Sequence, residues 1–296
     1  MKRGIWYGLI AYLAWGILPI YWRQIQNVPA LEIISHRMVW SFIFTAAFVG
    51  VRKEISQIRQ LLHNPKTLLT FFISALLLVV NWLVYIWAVN AGFIVDASLG
   101  YFITPLVNVL LGVVFLREKL RAWQWVSVGI ATFGVLYLAV SYGVIPWIGL
   151  VLAFTFGFYG FIRKKATQNS SHGFMLEAGF IFIPALAYLL FLEIKEVGAL
   201  GHVPQLQNIL LILTGLITAV PLVMFGVAAQ RVYLSTLGFM QYIAPTFQFL
   251  IGVLVYGEDF SSNRLIGFSL IWGALLLYSL ESGLSHRKTP HLAPAD

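Results

Sequence analysis

Glu32, His36 and Arg37 fall within six residues of one another in an otherwise apolar run, EIISHRMVWS. At helical spacing Glu32 and His36 lie one turn apart on one face. Arg37 lies about two turns into the run, and a mid-span arginine costs roughly 2.5 to 3.5 kcal/mol on insertion scales, so it is expected to face a polar interior with a partner. Its fixed charge and forked donors suit an anionic group. A structural ion pair, or snorkelling of the side chain to the headgroups, is the alternative. Glu177 stands about one turn into a second apolar run, as Glu32 does in its own. These two carboxylates are the candidates to carry a coupling proton, with His36 in reserve. Interfacial carboxylates in contact with water are the alternative.

Two further runs carry amides. Tyr101, Pro105, Asn108 and Gly112 share one helix face, and Gln241, Pro245, Gln248 and Gly252 repeat that spacing. Each proline removes a backbone hydrogen bond, and at membrane depth the freed carbonyl needs protein or water. That favours a cavity wall bearing Tyr101, Asn108, Gln241 and Gln248, with Pro105 and Pro245 structural. Close helix packing through the small residues is the other reading. Trp15 and Tyr85 lie deep enough to join an aromatic-walled pocket for a planar or amphipathic solute. Glu118 and Glu258 each follow a helix end, where a carboxylate before the next helix start is favoured by the helix dipole, a structural role.

Catalysis finds no support. There is no HExxH or GxxxxGK[ST] motif, and no GxSxG elbow. No clustered Asp, Glu and His could hold a metal, so neither metal nor cofactor is expected. The chain has no cysteine, which excludes disulfides and thiolate chemistry. An intramembrane enzyme or lipid-handling protein, an uncoupled facilitator and a channel are the competing classes.

The elements that must position these residues are membrane spans. With 60% hydrophobic and 10% charged residues and a mean hydropathy of +0.86, the chain lies far from soluble composition. Ten apolar stretches reach spanning length, at 4–22, 30–50, 67–89, 94–116, 122–140, 145–162, 173–192, 207–229, 233–256 and 263–281. With the N-terminus inside, 15 of the 19 Lys and Arg fall in inner segments, which predicts both termini cytoplasmic. The net charge of +8 then reflects topology and anionic lipid, and nucleic acid needs no place. Residues 98–118 and 238–258 align at an offset of 140, and Gly16 meets Gly157 at 141. The expected fold is therefore an all-α membrane protein of ten transmembrane helices in two inverted five-helix repeats. The first repeat covers 1–142, the second 143–283, and a disordered tail 284–296. Inverted repeats of odd span number mark alternating-access carriers.

The runs EIISHRMVWS, NWLVYIWAVNAG, SLGYFITPLVNVLLG and GFMQYIAPTFQFLIG resemble the RarD-type permeases, the chloramphenicol-sensitive protein family. These belong to the EamA branch of the drug/metabolite transporter superfamily. The resemblance covers nearly the whole chain. It implies a bacterial inner-membrane carrier with a central cavity, taking a small organic solute. Thr104 stands where that pattern expects asparagine, so the hydrogen-bonding amide is missing there; it is kept among the substrate-binding candidates. The expected partners are the solute, the bilayer and a coupling proton, in a monomer or homodimer. Arg37 and the aromatic residues together fit an anionic solute with a planar or apolar body.

Overall fold

The computed structural model describes residues 2–141, 143, 146–257 and 262–288. Its elements are all helices: α1 (Lys2–Gln24), α2 (Ala30–Val51), α3 (Ile55–Leu62), α4 (Pro65–Asn90), α5 (Ile94–Leu116), α6 (Ala122–Ser141), α7 (Trp147–Lys165), α8 (Ser170–Ile194), α9 (Gln205–Arg231), α10 (Leu234–Gln241), α11 (Ile243–Tyr256) and α12 (Ser262–Lys288). Nine spans among the described residues are long and apolar enough to cross a membrane, with α10 and α11 forming one of them. The expected sixth span is α7, helical over 19 residues but outside the nine. Its last turn, Arg163, Lys164 and Lys165, lowers its mean hydropathy.

Three departures from the sequence reading have local causes. A short helix, α3, joins α2 to α4 and buries Ile58 while leaving Ile55 and Leu62 exposed. The ninth span breaks at Tyr242, where Pro245 has no N–H to return to the Gln241 carbonyl and the chain tightens through Tyr242 N–H to Phe239 O at 3.3 Å. Helix α12 continues to Lys288, into the tail expected to be disordered; residues 289–296 lie outside the described residues.

α5 is the most enclosed of the nine and packs against α7 and α10. α1 packs on α9 and α11, α2 on α8 and α9, α4 on α7 and α8, and α6 on α12. One end of the bundle is basic: there Glu54 meets His172, Arg121 meets Glu281 and Lys164 meets the Val232 carbonyl. At the opposite end Asn27 pairs with Gln207 and Asp96 with the Gly149 amide.

One contact occurs twice. A Cβ on Gly16 would stand 2.7 Å from Phe247 Cβ, and one on Gly157 would stand 2.6 Å from Val107 Cγ1. Both glycines sit at a crossing that admits no side chain, α1 on α11 and α7 on α5. Phe247 and Val107 are themselves partners in the 140-residue offset. α5 and α11 also end alike, in left-handed residues Arg117 (φ 55°) and Gly257 (φ 64°), each closing on the carbonyl of a glycine, Gly112 or Gly252.

Candidate functional site

Arg37 projects from the N-terminal part of α2 into the bundle. Its Nε donates to Thr218 Oγ1 of α9 at 2.9 Å. The guanidinium carbon lies 4.8 Å from the ring centroid of Trp82 and 5.3 Å from that of Trp22. Indole faces attract a guanidinium through their quadrupole, so three helices hold this cation in place. Tyr85 and Tyr101 lie within electrostatic reach of it, their rings 6.0 Å apart edge to face. No carboxylate among the described residues forms an ion pair with Arg37. Tyr101 is 39% exposed although it stands on the most enclosed span.

Glu32 and His36 face elsewhere, toward α8, α9 and their connection. Both are buried. Glu32 Oε1 accepts the Ala199 amide at 2.6 Å and lies 3.8 Å from His36 Nε2. Glu32 Oε2, both His36 ring nitrogens and the Trp40 indole nitrogen are buried without a hydrogen-bond partner. Burying such groups is costly, so this cluster stands out from the surrounding apolar packing.

Glu177 is fully enclosed at the other end. Its Oε1 accepts from Ser74 at 2.6 Å and from Arg163 Nη1 at 3.3 Å, and Tyr159 donates to Oε2 at 3.5 Å. Arg163 also donates from Nη2 to the Ser170 carbonyl at 2.9 Å and hydroxyl at 2.5 Å. Arg163 is one of the 15 Lys and Arg that the sequence assigns to inner segments, with Lys164 and Lys165 beside it. Three consecutive helical residues point about 100° apart, so one of them had to face the bundle. Trp22, near the end of α1, packs on Arg37. Thr218 gave no signal within an apolar run.

The amide stripes divide. Asn108 is wholly buried where α5 meets α7 and α10, its Nδ2 donating to Gln241 Oε1 at 2.9 Å. A Cβ on Gly238 would stand 3.0 Å from Asn108 Cβ, so this is a helix crossing and no cavity wall. Gln241 is buried as the other half of that pair. Gln248 is partly buried and donates to the Trp15 carbonyl at 3.2 Å. The Trp15 ring packs with Tyr12, Phe156 and Phe225. Thr104 is buried and turns its hydroxyl back to the Gly100 carbonyl of its own helix at 2.6 Å. Pro105 lies within an unbroken α5, while Pro245 follows the break. Glu118 takes the Leu234 and Ser235 amides at 2.6 and 2.9 Å and the Ser235 hydroxyl at 2.7 Å. It therefore caps α10, rather than the next helix in sequence. Glu258 lies outside the described residues.

Two concavities lie away from Arg37. An open groove of about 600 Å³ between α1 and α9 is walled by residues such as Ile17, Leu18, Leu216 and Val220. With almost no polar surface it suits hydrocarbon and not a polar solute. A cleft of about 370 Å³ lies between α4 and α7. Among the described residues no group of three metal-ligating side chains occurs.

An all-helical, multi-pass bundle that holds polar side chains at membrane depth, one of them an arginine with no carboxylate partner among the described residues, has the build of a membrane transport protein. Residues 2–140 match the EamA-like transporter family. Protein RarD of Escherichia coli (strain K12) is 41% identical over 288 residues, covering 97% of each chain. An uncharacterized transporter of Vibrio cholerae is 43% identical over 280 residues, 95% of this chain and 93% of its own. The chloramphenicol-sensitive protein RarD of Pseudomonas aeruginosa is 31% identical, covering 97% and 96%. A crystal structure described only as that of a protein superposes with a TM-score of 0.73 over 95% of this chain and 98% of its own, at 17% identity, so the two share a fold. The chain belongs to the EamA-like transporter family, in its RarD-type branch. It is a multi-pass inner-membrane transporter, not an enzyme.

Proposed function

We propose that this transporter is a secondary carrier that binds the anionic group of a small organic solute at Arg37 and moves it by alternating access. The observation that carries the reading is the Arg37 guanidinium. It is fixed by Thr218, Trp22 and Trp82 and has no carboxylate partner among the described residues. A cation held at membrane depth needs a counter-charge, and a transported anion supplies one. Trp82, Tyr85 and Tyr101 flank it and suit a planar or apolar body.

Ten spans arranged as two inverted halves, 1–142 and 143–283, with both termini cytoplasmic, are part of the proposal. The doubled contact of Gly16 with Phe247 and Gly157 with Val107 supports it. The end of the family match at residue 140 is consistent with a first unit closing there. The basic end is closed where α5 lies on α10, whereas α11 leaves α5 for α1 toward the opposite end. That asymmetry fits a carrier opened away from its basic face. Exchange of α10 and α11 between these partners would provide the second state. Proton coupling is assigned to Glu32 with His36, because Glu177 is already neutralised by Arg163.

The test is a thermal-shift screen of matched carboxylates, amides and amines on purified protein, followed by counterflow of the best ligand in proteoliposomes. Stabilisation confined to the carboxylates, and lost in Arg37→Lys, supports the reading. Equal stabilisation by the uncharged analogues would overturn it.

A further inference from the structure

The cleft between the start of α4 and the end of α7 lies at the basic end, remote from Arg37. Lys66, Thr67, Thr70, Phe161, Lys165 and Gln168 line it. At about 370 Å³ it falls at the lower end of the volumes that hold small ligands. Lys66 and Lys165 are exposed, and neither forms an ion pair with a carboxylate among the described residues. The neighbouring cations are committed elsewhere, Arg163 to Glu177 and Lys164 to the Val232 carbonyl. Lys165 Nζ lies 4.7 Å from the Phe161 ring centroid, so the ring face holds the ammonium at the cleft. Gln168 Nε2 reaches across to the buried Thr67 hydroxyl at 3.5 Å, giving the cleft a polar floor that joins α4 to the connection after α7.

We propose that this cleft binds the phosphate headgroup of an anionic phospholipid. Two ammonium groups with no carboxylate partner among the described residues, a polar floor and an apolar flank at Phe161 and Ile162 match a phosphodiester whose acyl chains continue into the bilayer. The bound lipid bridges α4 of the first half to α7 of the second. It thereby braces the closed basic end.

Native mass spectrometry of the full chain, released from nanodiscs of phosphatidylglycerol mixed with phosphatidylcholine, tests this. The expected result is retention of phosphatidylglycerol over phosphatidylcholine by about 25-fold, from two lysines each worth about fivefold. Lys66→Gln combined with Lys165→Gln should remove that preference. Lys195→Gln, whose side chain lies over Phe191, should keep it. Glycerol 3-phosphate and inorganic phosphate form a second arm, read by thermal shift. Unchanged preference in the double variant overturns the proposal. So does tight binding of either free phosphate, which would make the cleft a site for a soluble anion. Loss of solute binding in Arg37→Lys leaves this measurement untouched, so the two readings fail separately.

Discussion

Arg163 and Glu177 face each other at 3.3 Å with 0% and 1% of their side chains exposed. A pair so enclosed gains from mutual attraction, but removing one member leaves a buried charge uncompensated, at a cost of roughly 3 to 5 kcal/mol. Glu177→Gln should therefore lower the thermal midpoint of the detergent-solubilised protein strongly. Arg163→Leu combined with Glu177→Leu should recover part of that loss. A single variant as stable as the parent would show that the pair contributes little.

Arg37→Lys keeps the charge but loses the planar fork that Thr218, Trp22 and Trp82 hold in place. We expect solute affinity to fall on the order of tenfold or more, with membrane insertion unchanged. Counterflow with the lysine variant measures it. Parental affinity would reduce Arg37 to a structural cation.

Glu32→Gln removes the carboxylate that holds the Ala199 amide beside His36. Accumulation driven by a pH gradient in proteoliposomes should be lost, while gradient-independent counterflow persists. A glutamine variant that still follows the gradient would return Glu177 to consideration, or point to an uncoupled facilitator.

Asn108→Leu should act on stability more than on affinity. It orphans Gln241 and adds bulk beside Gly160 and Gly238. A lowered thermal midpoint with solute binding retained in the surviving fraction is the expected pattern, read by thermal unfolding with and without ligand. A selective loss of binding at full stability would put Asn108 back in a cavity wall.

Glu54, between α2 and α3, lies outside the spans. Arg52 and His172 hold its carboxyl below the usual carboxylate value of 4.5. Because the folded group is the stronger acid, its contribution is present above that value and is lost as pH falls through the lower native one. Amide hydrogen exchange at the start of α8, followed from neutral pH into acid, should show faster opening only in that acidic window. A Glu54→Gln variant should show it at all pH values.

The spans were legible because apolar length is a property of the local chain. The break at Tyr242 was not. Pro105 and Pro245 occupy the same place in the repeat, yet α5 runs through the first and the ninth span breaks ahead of the second. The difference is what each helix packs on, which no local pattern records. Asn108 and Gln248 divide for the same reason, one sealed in a crossing of three helices, the other partly buried against Trp15. Arg37 was legible as an anomaly, whereas its holders were not, because Trp22, Trp82 and Thr218 come from three other helices. The Arg163–Glu177 pair was hidden by the lysines that follow Arg163.

Two helix starts in the second half borrow their caps from the first. Asp96 takes the Gly149 amide at the head of α7, and Glu118 takes the Leu234 and Ser235 amides at the head of α10. During synthesis the carboxylates emerge before the amides they serve, so the early half can wait in the bilayer as a template on which the later helices are finished. Separately expressed halves should then behave unequally: the later one alone lacks its acceptors, and supplying the earlier one in trans restores them.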